Sequence, residues 1–174
     1  MSKPQQTFFP LLCGPEFLPA SAVKRQSRIS GSEEIYELSQ EFDWNLTLDL
    51  EAYLSKPGIA IVVTDTYEQI QWVNSGFTYM TGYKLPEILG KKPSQFLQGN
   101  GTSPKTKSNI REQLDQNVSF SNQILNYRKN GEAYWCKLDI WPLFNSNNEL
   151  VNYVAFEKEV WNNELHHHAS VLSS

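Results

Sequence analysis

The chain has 174 residues, 40% hydrophobic and 13% aromatic, which suffices for one compact domain with an extension and is short for two. A formal net charge of -4 provides none of the basic surface that nucleic acid requires, so no nucleic-acid partner is expected. The two cysteines, Cys13 and Cys136, lie far apart without metal-ligand spacing and fit a reducing, cytoplasmic location better than a disulfide framework.

Residues 1–31 mix Pro, Ser and Gly with a small basic group, Lys24, Arg25 and Arg28. This composition reads as a flexible leader, with a docking segment as the alternative. Within it, Phe8-Phe9-Pro10-Leu11-Leu12-Cys13-Gly14 looks superficially like a lipoprotein cleavage site. Pro10 breaks that apolar run, which is shorter than the roughly 7–15 residues of a signal core. No later run nears the roughly 20 apolar residues of a spanning helix, so neither a membrane segment nor a membrane partner is expected.

Residues 32–56 form a helical extension. Ile35, Leu38 and Phe42 recur at helical spacing behind the acidic first turn, Glu33 and Glu34. A second pattern puts Leu46, Leu50, Tyr53 and Leu54 on one face, and Ser55-Lys56-Pro57-Gly58 stops it. These short stripes need a surface to bury them, either on their own domain, in a dimer contact, or in a mixture of both.

Residues 57–161 read as one α+β domain, followed by a polar tail at 162–174. Ile59–Val63 and Ile70–Val73 are short strands; Asn74–Tyr83 and Leu85–Gly90 are short helices, the second with Pro86 in its first turn and Gly90 as its stop. Ser103–Leu114 is a longer helix that Ser103 caps and Pro104 opens. Val118–Tyr127 and Glu132–Leu143 form a hairpin across Arg128-Lys129-Asn130-Gly131, and Leu150–Val160 is a last strand. The order predicts a five-stranded antiparallel sheet with short helices over one face. No effector domain is expected after Val160.

The order of these elements and several motifs resemble the PAS superfamily. The carrying residues are Val63-Thr64-Asp65, Trp72 to Phe77, Met80 to Tyr83, Glu87 to Gly90, Phe96-Leu97-Gln98-Gly99, Thr102, Ile110-Arg111, Asn126 to Gly131 and Tyr134-Trp135. Within the family, Asn74-x-x-Phe77, Phe96-Leu97-Gln98-Gly99 and the spacing to Ile110-Arg111 resemble the flavin-binding LOV branch. That resemblance implies FMN or FAD as cofactor, with Asn74 and Gln98 in the binding set. It further implies a flavin phosphate at Arg111, ring-edge contacts from Asn126 and Cys136, and a flavin-responsive side chain at Glu157.

The departures are equally specific. LOV domains run Gly-x-Asn-Cys-Arg-Phe-Leu-Gln, whereas this chain has Gly90-Lys91-Lys92-Pro93-Ser94-Gln95-Phe96-Leu97-Gln98, one residue longer. Counted back from Phe96, the reactive cysteine is Ser94 and its neighbouring arginine is Gln95. A serine hydroxyl is a far poorer nucleophile than a thiol, so no covalent bond to flavin is expected. Cys136 and Glu157 stand where the branch carries amides. Cys136 cannot supply an amide's paired donor and acceptor. An ionised Glu157 accepts but cannot donate, and its burial is costly unless it is protonated or paired. Lys91, Lys92, Lys105 and Lys107 either replace the missing arginine or form an ordinary solvated surface. Gly-x-x-Pro-Ser-x-x-Leu-Gln-Gly, together with Asn100 to Pro104, also resembles PAS domains of two-component sensors and of redox sensors holding FAD noncovalently.

Trp72, Trp135 and Trp141 fall in strands and read as core or dimer-face packing ahead of electron donors to a flavin. Alternation separates Cys136 from Trp135 and Trp141, so a pocket-facing Cys136 puts both tryptophans outside. His166, His167 and His168 lie in the tail, and the domain itself contains no histidine for haem. The residues form no recognisable catalytic set, so no enzyme is expected. The resulting expectation is a PAS sensory and signal-relay module acting through protein contacts, with an optional small-molecule ligand, as a homodimer with a histidine kinase or regulator downstream. Its alternative is a cysteine-less LOV-like flavoprotein that senses light or redox state.

Overall fold

A computed structural model describes residues 31–46 and 48–160. The expected leader up to residue 30, with Cys13 and its basic group, and the expected tail with His166 to His168 lie outside the described residues. Helices α1 (Gly31–Glu41) and α2 (Leu50–Leu54) precede strands β1 (Ala60–Thr64) and β2 (Ile70–Val73). Four more helices follow: α3 (Ser75–Thr81), α4 (Leu85–Ile88), α5 (Ser94–Leu97) and α6 (Pro104–Asp115). Strands β3 (Phe120–Tyr127), β4 (Ala133–Phe144) and β5 (Leu150–Val160) complete the described chain.

The strands form one antiparallel sheet in the order β2-β1-β5-β4-β3, so the last strand sits at its centre. Central position explains why β5 buries neighbouring residues of both faces, Asn152, Tyr153 and Val154 and then Phe156 and Glu157, since it is covered on both sides. Strand periodicity splits the sheet into two faces. Val62, Ala155, Glu157, Leu138, Ile140, Ile124 and Asn126 point toward the later helices. Ile61, Val63, Val154, Phe156 and Asn152 point the other way.

The helical extension covers that second face. The Tyr53 ring stacks on Phe156 with centroids 3.8 Å apart. Trp72 Nε1 donates to Glu34 Oε2 at 2.8 Å, which buries the indole beneath α1. Trp44 is buried and pairs with the turn between β4 and β5, where Asn45 N donates to the Phe144 carbonyl at 2.7 Å. The apolar stripe of α1 is therefore satisfied within its own domain. The second helical pattern is shorter than its spacing suggests. The chain becomes helical only at Leu50, where the Asp49 side chain accepts from Ala52 N, and Leu46 lies exposed outside the helix.

Local chemistry fixes the remaining turns. Asn74 Oδ1 accepts from Phe77 N to cap α3 and from Ile61 N, while Asn74 Nδ2 donates to the Ile59 carbonyl at 3.0 Å. A Cβ on neighbouring Gly76 would sit 2.3 Å from the Ile59 carbonyl oxygen, so only glycine lets α3 approach β1 this closely. Gly82 then ends α3 in the left-handed region, at φ +78. At the far hairpin, Arg128 donates to the Met80 carbonyl and pairs with Glu159 at 2.7 Å, tying the β3–β4 turn to the end of α3.

Candidate functional site

A cavity open to solvent at its mouth lies between the sheet and the helices α5 and α6. Its floor is apolar: Val62, Ile124, Leu138, Ile140 and Ala155 from the sheet, facing Leu97, Ile110 and Leu114 from the helices. Gln98, Asn126 and Glu157 bring polar groups into it, and Ser94 and Pro93 stand in its lining near the Glu68–Lys92 ion pair. That arrangement, a mostly apolar hollow with a few converging polar groups, is the usual form of a small-molecule site.

Helix α5 is absent from the sequence-based reading, yet it shapes one wall. Pro93-Ser94-Gln95-Phe96-Leu97 is too short for a helical period to show. The turn is set by Gln95 Oε1, which accepts from Lys92 N at 3.1 Å, and by Leu97 N donating to the Pro93 carbonyl. Leu97 is buried on the cavity side, while the Phe96 ring meets Tyr83 edge-on at 4.8 Å. The following loop is locked onto β3. Thr102 Oγ1 accepts from Gly99 N and donates to the Leu125 carbonyl at 2.7 Å, and Gly101 N donates to the Tyr127 hydroxyl at 2.9 Å. Gly99 and Gly101 both lie against the Tyr127 ring, where a Cβ would come within 2.6 Å. These contacts hold Gln98 where it faces the cavity.

The six binding residues expected from the sequence fall in different places. Gln98, Asn126 and Glu157 line the cavity together. Asn74 is occupied in capping α3 and bracing β1, so its side chain is committed to the backbone. Arg111 is exposed on α6, whose Ile110 and Leu114 line the cavity instead. Cys136 is fully buried on the inner side of β4, with its thiol 3.8 Å from Glu157 Oε2. Trp135 and Trp141 lie half-buried on the outer face, as the alternation around Cys136 predicts.

Electrostatically the site is dominated by Glu157, which is 5% exposed. Burial pushes its carboxyl up to about 7, and the Cys136 thiol, as a weak donor, offsets this only in part. The Cys136 thiol is in turn pushed well above its ordinary value by burial and then by Glu157. Beyond it, Tyr134 is the cross-strand partner of Asn126 and went unnoticed as a site neighbour in the sequence. Its hydroxyl is buried beside the Asn126 side chain, and burial foremost drives its ionisation far upward, which Asn126 offsets only in part. Around Glu157 the cavity therefore presents neutral polar groups, and Glu68, paired with Lys92, stands in its lining. No group of metal-ligating side chains occurs among the described residues.

Residues 58–160 match the family described as PAS domain. Blue-light-activated histidine kinase of Brucella anthropi is 41% identical over 91 residues, covering 52% of this chain and 18% of that protein. Phototropin-1A of Oryza sativa subsp. japonica is 34% identical over 115 residues, covering 64% of this chain and 12% of that protein. The chain thus spans less than a fifth of the length of these curated relatives. Among solved structures, the dark form of the blue-light photoreceptor Aureochrome1 LOV superposes with a TM-score of 0.62 at 29% identity, covering 75% of this chain and 97% of that one. The PAS domain of the fruit-fly ELK potassium channel gives a TM-score of 0.58 at 26% identity, covering 68% of this chain and all of that one, 100%. Family match, strand order and structural likeness agree: the chain belongs to the PAS domain family and resembles its LOV branch.

Proposed function

We propose that the chain is a sensory and signal-relay module that holds a planar ligand noncovalently and passes its state on through the sheet. The observation that carries this reading is the cavity itself, apolar on both walls and polar at Gln98, Asn126 and Glu157. Flavin, as FMN or FAD, is the ligand class that fits. The flat apolar floor suits a fused ring system, and the three polar side chains suit an edge of alternating donors and acceptors. Structural neighbours described through flavin and blue light support the same choice. Bound flavin would supply light absorption and redox chemistry. Ser94 lines the cavity without a thiol, and Cys136 is buried behind Glu157, so sensing proceeds without a covalent bond to the protein.

Output is proposed to pass to a histidine kinase or regulator from a homodimeric, cytoplasmic protein. The blue-light-activated histidine kinases among the relatives support that choice of partner. No helix among the described residues is long and apolar enough to cross a membrane. Arg111 and Lys105, both exposed on α6, are the side chains proposed to meet a phosphate that projects from the cavity. The alternative, a relay module that binds no small molecule, is distinguished by reconstitution. Purified protein should retain yellow colour, or acquire it with FMN or FAD, and release intact flavin on denaturation. Protein that stays colourless and rejects both flavins would leave only the ligand-free reading.

A further inference from the structure

We propose that Glu157 makes ligand binding proton-coupled: the cavity takes a neutral, planar heteroaromatic whose acceptor edge meets this carboxyl in its protonated form. The inference deepens the ligand-holding reading above and rests on it.

Glu157 lies on the central strand, opposite Ala60 of β1 and Leu138 of β4, both apolar. The described hydrogen-bond partner of its carboxyl is the Cys136 thiol, at 3.8 Å. Apart from Glu68, the cavity's polar and apolar groups are neutral: Asn126 on β3, Leu97 of α5 with Gln98 after it, Ile110 and Leu114 on α6, and Tyr153 on β5 itself, whose hydroxyl burial keeps protonated. The titratable neighbours, Cys136 and Tyr134 on β4, are both kept protonated by burial. Glu68, also in the lining, pairs with Lys92 at 3.2 Å. No lysine or arginine pairs with Glu157 among the described residues, so its negative form has no compensation. A ligand filling the cavity closes the carboxyl off from solvent and penalises the carboxylate further.

Hydrogen bonding points the same way. A carboxylate only accepts, whereas the acid has one O–H to donate. A ring carbonyl or ring nitrogen placed against Glu157 therefore requires the acid, while Asn126 and Gln98 adjust their amides to either partner. Above neutrality, binding takes one proton from solvent: the carboxylate, a proton and the ligand give the acid hydrogen-bonded to the ligand. The O–H bond is the one covalent bond formed, and none breaks in the ligand.

Riboflavin is the appropriate probe, because it lacks the phosphate that titrates in this range. With the full chain, its dissociation constant should weaken about tenfold from pH 6 to pH 8, given a carboxyl near 7 in the free protein. Calorimetry in two buffers of different ionisation enthalpy should show close to one proton taken up at pH 8. Glu157→Gln should still bind riboflavin and lose the pH dependence. Independently of any variant, the infrared difference spectrum on binding at pH 8 should gain one protonated-carboxyl band. Riboflavin that binds equally well at both pH values without proton uptake overturns the inference and leaves the flavin reading standing. Affinity that rises with pH overturns it in favour of the ring N–H donating to the carboxylate. Failure of the folded protein to bind riboflavin, FMN or FAD at either pH overturns both.

Discussion

Trp44 Nε1 donates to Asn152 Oδ1 at 2.8 Å, and the same asparagine donates from Nδ2 to the Thr64 carbonyl and to Gln71 Oε1, each at 3.0 Å. Asn152 is wholly buried, and Thr64 belongs to the cavity lining. One side chain thus links the helical extension to two strands and, through β1, to the cavity wall. Asn152→Ala strands an indole N–H and a backbone carbonyl, and should cost about 2–4 kcal/mol. Trp44→Phe removes one bond and should cost about 1–2 kcal/mol. Chemical denaturation of the two variants and of their double mutant measures the coupling. Additive losses would show that the bond does not connect the extension to the sheet.

Glu157 makes stability depend on pH in an unusual direction for a carboxyl. Folded, it titrates near 7; unfolded, it returns to 4.5, so the folded state holds the extra proton between those values. Its penalty is absent below the unfolded value, grows as pH rises, and is complete above the folded one. A fully buried shift of this size corresponds to about 3 kcal/mol in full, of which about 2 kcal/mol develops between pH 5.5 and pH 8, so the chain should unfold more readily at pH 8. Glu157→Gln should flatten that difference in thermal melts. A wild-type melt equally stable at both pH values would contradict the buried, unpaired carboxyl.

Two glycines should resist substitution for different reasons. Gly76→Ala drives a Cβ into the Ile59 backbone, which cannot yield, and should cost roughly 3 kcal/mol or more. Gly99→Ala meets the Tyr127 ring, a side chain, so trimming Tyr127 to Leu should recover part of the loss. Denaturation midpoints for the three variants test the contrast. Equal losses, with no recovery on the Tyr127→Leu background, would mean that the ring does not set the limit.

The fold was legible because its strong signals are local. The Asn130-Gly131 turn, the Ser103-Pro104 helix start and the long apolar strands each announce themselves over a few residues. Gln98, Asn126 and Glu157 entered the candidate set by resemblance, and the sheet register brings them to one cavity. The sequence could not show that helical rotation places Ile110 and Leu114 inward while the Arg111 side chain faces solvent. Helix α5 was missed because four residues carry no period, and the Tyr134 hydroxyl was missed because its significance depends on a cross-strand neighbour. The covered outer face depends on long-range contacts, such as Tyr53 on Phe156, which spacing within one helix cannot reveal.

Serine at the cavity sets the photochemical expectation. Illumination of the flavin-loaded wild type should leave no long-lived bleached state that thiol reagents block, since Ser94 lines the cavity and Cys136 is buried. Ser94→Cys places a thiol in the same lining and should introduce such a state, read by absorbance recovery in the dark. A bleached state of that kind in the wild type would contradict the assignment of Ser94.

The most direct test of the account is to fill the cavity and count flavin. Ala155 lies on its floor, between Val62 and Ile140, and Ala155→Phe directs a ring into the free space. Flavin content per chain after reconstitution with FMN or FAD, measured on folded protein of both forms, is the required quantity. The account predicts near-stoichiometric flavin in the wild type and almost none in the filled variant. Equal flavin in both, or none in the wild type, would contradict a ligand held in this cavity.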